Sequence, residues 1–373
     1  MNDLPLIDLH GTPREIGRAH GEAARDAIAS NLELYFRRFA LEGGVEPDEA
    51  CRRGRRYLEV IDATAPDYGE MVRGIADAST RPLDELAALN ARYEILYSEF
   101  SRSVMELARQ GGPAGGDGCT AFVAMPETTP DGHLRIGENW DWIPGVRGVM
   151  LRVERSDGFR TLCFTEAGIA GGKIGLNSAG IGLAINGLVS DLDSWARLKT
   201  PFHVRTWRVL NSRTLNEAFR AILDEERSCS ANFLLAQLND QGEATAVDLE
   251  TSPTSAARLA VKGALAHTNH FFDPAALGIE QPLDARSSTY RRCDRMQRLL
   301  EQHRGRLDDS RLIELLQDHE GHPQSLCAHP SPLWPESEAY ATVLGVVMDL
   351  NTRTLLAAPG NPCVTPFERF MLN

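Results

Sequence analysis

Ile16, Ala19, Ala23, Ala27, Leu32 and Tyr35 recur at roughly helical spacing, which predicts an amphipathic helix with one apolar face. Its start is written just ahead of them. Thr12-Pro13-Arg14-Glu15 offers an N-cap hydroxyl, a proline at the first helical position and a glutamate three residues after the cap. The helix is expected to run to about Phe39, with His20 as a packed core histidine on its inner side, after a short extended lead-in over 5–11. Further helical patterns cover 46–63, 67–78 and 83–110, separated by Pro47, Pro66 and Pro82, each a natural start or break. The first third of the chain reads as helix throughout.

The pattern then changes abruptly. Five glycines and a proline fall in residues 111–118, a composition that cannot continue a helix and predicts a flexible, exposed loop. Short apolar runs punctuated by glycine follow at 120–125, 134–140, 149–154, 161–165 and 181–186, spaced as antiparallel hairpins. Helical spacing returns over 203–225, and strand-like runs occupy 232–238, 244–249, 257–261 and 264–269. Helices over 289–303 and 310–318 precede a final hairpin, 340–350 with 353–357, turned at Asn351-Thr352. Many antiparallel strands with helices grouped before, between and after them predict a layered α+β fold. No internal repeat is visible and no phosphate-binding loop motif occurs. Gly168-Ile169-Ala170-Gly171-Gly172 is too loose for a dinucleotide fingerprint.

Composition narrows the function. With 42% hydrophobic and 24% charged residues in 373, the chain has the make-up of a globular protein. Its formal net charge of -13 disfavours nucleic acid and anionic membrane as partners, since polyanions repel an acidic surface. The arginine runs at 52–56 and 291–298 read as solvated helix faces. The first residues lack a basic and apolar leader, and no run approaches the ~18 apolar residues of a membrane span, so a cytoplasmic location is the expectation. Cysteines stand at 51, 119, 163, 229, 293, 327 and 363. They are scattered without C-x-x-C spacing, which argues against a disulfide framework or a zinc ribbon. Asp318-His319-Glu320-Gly321-His322 could be a metal cluster, but Pro323 follows and no partner motif accompanies it, so a polar loop is the simpler reading. Cys327 with His329 could form a catalytic pair, yet no third orienting group is apparent. Neither metal nor other cofactor is expected.

Cys119 differs from the other cysteines because it follows Gly118 at the end of the Gly-rich stretch and opens a strand. Attack of its thiolate on the Gly118 carbonyl would turn the peptide into a thioester that water can hydrolyse, and a missing Cβ eases the approach. The new N-terminal Cys119 would carry an α-amine with a reference pKa of about 7.7–8.0, which places nucleophile and general base on one residue.

Asp117-Gly118-Cys119-Thr120 with Glu138-Asn139-Trp140-Asp141-Trp142 resembles the peptidase C45 family of N-terminal-nucleophile (Ntn) hydrolases, which includes isopenicillin N acyltransferases and carcinine hydrolase-like amidases. Further matches are His10 to Gly17 with His20-Gly21-Glu22, then Ala266-His267-Thr268-Asn269-His270, Ser287 to Arg292, and Asp318 to Gly321 with Ser325 to His329. The resemblance implies an αββα sandwich of two mainly antiparallel sheets with a helical N-terminal segment. It also implies self-cleavage between Gly118 and Cys119 into pieces 1–118 and 119–373 that stay associated as one compact unit. Cys119 would be the nucleophile, and Asp141, of the Asn139-Trp140-Asp141 element, would hold its ammonium or a neighbouring donor. Asn269 would donate to the oxyanion, Asn186 would match a second asparagine near the oxyanion in bile-salt-hydrolase-like relatives, and Arg291 would be the arginine beside the nucleophile. Asn139 completes the expected catalytic set. Glu138 stands where relatives often carry Gln or Arg, and its role stays open. The expected reaction is hydrolysis of a small-molecule amide. Acyl transfer to an amine comes next, and an uncleaved, idle binding protein is the third possibility.

Overall fold

The computed structural model describes residues 4–110, 118–282, 287–330 and 339–372. Of the Gly-rich stretch only Gly118 is among them; the loop expected over 111–117 lies outside the described residues.

Among the described residues the N-terminal part holds six helices: α1 (Pro13–Ala23), α2 (Arg25–Gly43), α3 (Pro47–Thr64), α4 (Pro66–Ser79), α5 (Leu83–Asn90) and α6 (Arg92–Arg109). Thr12 opens α1 with the expected reciprocal cap: its hydroxyl accepts from Glu15 N–H, and Glu15 Oε2 accepts from Thr12 N–H at 2.8 Å. The single helix expected over 13–39 breaks at Ala24, which leaves helical geometry at φ -112°, ψ 18°. The break frees α1 to lie against α4 while α2 turns to the sheet, where the Asn31 amide donates to the Arg147 and Ala167 carbonyls. Gly17 explains how closely α1 and α4 pack, since a Cβ there would sit 2.1 Å from the Met71 carbonyl oxygen. The pattern over 83–110 likewise breaks, at Ala91. Just before it the Asn90 side chain donates to Gly168 O and accepts from Ala170 N–H, tying the turn to a distant loop.

Fourteen strands follow the β character of the sequence among the described residues. One sheet has the order β1 (Leu6–His10), β4 (Gly148–Glu154), β5 (Arg160–Glu166), β6 (Ile174–Asn177), β7 (Ile181–Gly187), β8 (Ala231–Leu238), β9 (Ala244–Thr251), β10 (Ala256–Ala260). The other runs β11 (Ala264–His267), β2 (Thr120–Ala124), β3 (Arg135–Trp142), β12 (Ala341–Asp349), β13 (Thr354–Pro359), β14 (Glu368–Met371). Every pairing is antiparallel except β1 with β4. The extended lead-in is thus a true edge strand, and the first third is not wholly helical. The pattern expected as one helix over 203–225 is two, α7 (Phe202–Leu210) and α8 (Leu215–Leu223), separated where the Thr214 hydroxyl caps α8.

The sheets pack face to face, with β2 and β3 against β7. Helices α7 and α8 cover the outside of the β1–β10 sheet, while α9 (Ser287–Gln302) and α10 (Asp309–Leu316) cover the other. The expected α+β architecture of layered helix, sheet, sheet and helix is what the chain forms. One large apolar core joins the N-terminal helices to both sheets, and a smaller one lies between α9, α10 and the outer face of β2, β12 and β13. Alternation along β3 therefore decides side: Glu138, Trp140 and Trp142 project between the sheets, and Asn139 and Asp141 toward the helical layer. No helix among the described residues is long and apolar enough to cross a membrane.

Candidate active site

Cys119 sits at the mouth of β2, one residue before Thr120 pairs with Asn139. It is only 6% exposed, and its thiol points to the Asp141 carbonyl oxygen at 3.9 Å. The cation beside it comes from α9. Arg292 Nη1 donates to the Cys119 carbonyl at 2.7 Å and to Thr120 Oγ1 at 3.0 Å, and Nη2 donates to Asn269 Oδ1 at 3.0 Å. One guanidinium thus ties the peptide of the expected nucleophile to the expected oxyanion donor. It also explains Gly118, because a Cβ at that position would lie 2.2 Å from Arg292 Nη2.

The expectation for Arg291 is corrected here. Successive helical residues project about 100° apart, and the inner face of α9 is set by Met296, Leu299 and Leu300, all buried. Arg292, four residues before Met296, shares that face; Arg291 is exposed and lies near Gly321.

Asn269 follows β11 and is held on three sides. Its backbone N–H donates to Thr289 Oγ1 at 2.7 Å, its amide nitrogen donates to Gly187 O at 3.0 Å, and its oxygen accepts from Arg292. Asn186, near the end of β7, donates to His267 O at 3.4 Å and accepts from Asn232, whose amide also donates to Asp248 Oδ1 at 2.7 Å. Asp141 accepts from the Thr342 hydroxyl at 2.5 Å. Cys119, Asn269 and Arg292 are thus directly linked, with Asn186 adjoining; Asp141 meets the Cys119 thiol through its backbone carbonyl, while its carboxylate accepts from Thr342. Asn139 is not part of the group. The strand's alternation turns it to the far face, where its amide donates to Leu316 O and Leu326 O, both at 2.8 Å, so it fastens a loop.

Glu138 faces inward, as Cys119 does. It is fully buried, its Oε2 accepts from Ile185 N–H at 2.6 Å, and Oε1 has no hydrogen-bond partner among the described residues. Burial pushes its carboxyl up to about 8, against the pull of that N–H and of Lys173. Lys173 is also fully buried, 3.1 Å from the centre of the Trp140 ring and 3.1 Å from Glu166 Oε2, and burial brings it down to about 7. Burial alone would raise Glu166, but Arg92 and Lys173 hold it down at about 2. Glu138 apart, this buried row of charges escaped the sequence, and Arg292, Thr289 and Thr342 were given no role there, since nothing local marks residues so far apart as neighbours.

A second polar cluster lies beyond Thr342. His319, Cys327, His329 and Cys363 bring one donor atom each within 4.8 Å of one another. The polar-loop reading of 318–322 had separated these residues.

Residues 128–362 match the family model described as acyl-coenzyme A:6-aminopenicillanic acid acyl-transferase. The chain belongs to that family. The family's description is that of an acyl-transferring enzyme. A curated relative, the 40 kDa form of acyl-coenzyme A:6-aminopenicillanic-acid-acyltransferase from Emericella nidulans, is 29% identical over 377 residues, 98% of this chain and 95% of that one. Among solved structures, a conjugated bile acid hydrolase variant from Clostridium perfringens covers 68% of this chain and 97% of its own at 12% identity and a TM-score of 0.46. Penicillin V acylase from Agrobacterium tumefaciens covers 66% and 84% at 13% identity and a TM-score of 0.46. At that distance the likeness is one of partial shape. The match of the acyltransferase family model begins after Cys119, so the geometry around Gly118 stands as this chain's own observation.

Proposed function

We propose that this protein is a self-processing cysteine amidohydrolase acting on a small-molecule amide. The observation that carries the reading is the Arg292 guanidinium, which bridges the Cys119 carbonyl, Thr120 and Asn269 in space that only a glycine at 118 leaves open. In processing, Cys119 Sγ attacks the Gly118 carbonyl carbon, the peptide C–N bond breaks, and the nitrogen leaves as the Cys119 α-amine with a proton. Water then hydrolyses the thioester, returning the thiol and freeing the Gly118 carboxylate.

In turnover the α-amine takes the thiol proton, and the thiolate adds to the substrate amide carbonyl. Asn269 has a second N–H beyond the one given to Gly187, and that N–H would donate to the oxyanion, where one such donor is worth ~3 kcal/mol. The positive charge of Arg292 favours the thiolate. Collapse expels the amine with the proton from the Cys119 ammonium, and water resolves the acyl-enzyme. Acyl transfer is the second reading, favoured by the family match. It differs only in the last step, where an amine acceptor replaces water.

Intact mass of the purified protein, beside Cys119→Ala, tests the proposal. Fragments ending at Gly118 and beginning at Cys119 in the wild type alone support it. A single full-length chain in both overturns it.

A further inference from the structure

The cluster beyond Thr342 has the dimensions of a metal site. His319 Nε2 and His329 Nε2 are 3.1 Å apart, Cys327 Sγ and Cys363 Sγ 3.5 Å, and His329 Nε2 lies 3.6 Å from Cys327 Sγ and 3.5 Å from Cys363 Sγ. Zinc bonds of about 2.3 Å to sulfur and about 2.0–2.1 Å to nitrogen in a tetrahedron require edges of about 3.3 Å between nitrogens, 3.5 Å between nitrogen and sulfur, and 3.8 Å between sulfurs. Each of these four edges falls within about 0.3 Å of its counterpart, and the two remaining edges, from His319 to the sulfurs, lie within 4.8 Å. Hydrogen bonding among two imidazoles and two thiols would not need all of them to converge on one point.

We propose that His319, Cys327, His329 and Cys363 form a tetrahedral Cys2His2 site for zinc. The donors are of the type that selects this borderline-soft cation over magnesium or calcium. Four protein ligands leave no open coordination position, which makes the site structural. Both thiols lose their protons to solvent as the ion binds. The surroundings supply outer support of the usual kind: the Asn361 amide lies 3.6 Å from Cys327 Sγ and donates to Ala328 O at 2.6 Å.

The site would clamp two segments far apart in sequence, the loop after α10 and the turn after β13, which the Asn361–Ala328 and Gln317–Pro362 hydrogen bonds already bring together. Between two of its ligands, Ala328 N–H donates to Thr342 Oγ1 at 2.8 Å, and that hydroxyl donates to Asp141. The ion would thereby steady the wall that holds Asp141 beside Cys119, from outside the catalytic group.

The test is the metal content of the whole chain, purified from zinc-supplemented cells as wild type, Cys119→Ala and Cys363→Ser. The Cys119→Ala protein keeps the result independent of self-processing. About one zinc per chain is expected in the first two, with loss in Cys363→Ser, whose partly exposed position leaves the fold intact. Wild type loaded with cobalt should show the intense visible bands of a tetrahedral ion and a thiolate charge-transfer band. The proposal falls if wild type binds no zinc and gives no such spectrum, if Cys363→Ser retains its zinc in full, or if alkylation and mass analysis find Cys327 and Cys363 joined as a disulfide.

Discussion

Arg291 and Arg292 are chemically alike, and the difference between them is one step around α9. Replacing Arg292 by Gln removes the cation that bridges Cys119 and Asn269. Conversion to fragments should slow by at least ~100-fold, the scale of losing an electrostatic contact to a reacting centre. Arg291→Gln should process within a few-fold of wild type. Gel densitometry over time measures both, with thermal unfolding in a Cys119→Ala background separating lost chemistry from lost fold. Which arginine faces inward was not legible in the pair itself, because the phase is set further along by Met296, Leu299 and Leu300. Cys119 and Gly118, by contrast, could be read directly, since adjacency in sequence is adjacency in space. Glu138 was seen but not understood, for its burial depends on the opposite sheet. Its folded carboxyl titrates near 8, above its reference value of 4.5, so its contribution to stability is fully present below the unfolded value. That contribution is lost as pH rises through about 8. Glu138→Gln removes that loss, and the gap between the urea midpoints of variant and wild type should widen as pH rises across this window. A constant gap would refute the assignment.

At the scale of elements, β3 carries different jobs on its two faces, and Asn139 holds the outer one. Asn139→Ala deletes two buried hydrogen bonds, to Leu316 O and Leu326 O, at about 1–1.5 kcal/mol each. A loss of roughly 2–3 kcal/mol in urea unfolding is expected, and a change below ~0.5 kcal/mol would show the loop to be held otherwise. The place of most helices and strands was legible because period and punctuation agree along the chain. The breaks at Ala24 and Ala91 were not, since alanine is the best helix former and the reasons lie in distant partners, α4 and the 168–170 loop. The short strands β6 and β14 escaped because 4 residues carry too little alternation to announce themselves, whereas β1 was legible as an extended lead-in.

For the whole molecule, the segregation of helical and extended stretches was enough to give the layered α+β arrangement. The convergence of His319, Cys327 and His329 with Cys363 was not legible, because the fourth donor arrives from a turn 36 residues beyond Cys327. The two sides of the proposed cleavage point, 1–118 and 119–373, share one apolar core, to which Ile28, Tyr35, Tyr68 and Leu89 contribute from the first, and Leu183, Phe233 and Val346 from the second. After cleavage they should elute together in size-exclusion chromatography and part only in denaturant; separation in native buffer would contradict a shared core.

The parallel pairing of β1 with β4 bears on how the proposed two-piece protein would come to exist. While the chain is continuous, strand and sheet meet by an intramolecular step whose rate does not depend on how much protein the cell holds. Expressed from two separate messages, the same partners would meet in a second-order reaction, with the flank of β4 open to any other extended chain in the meantime. Yield of the split system should therefore rise and then fall with expression level, whereas that of the single chain should simply scale.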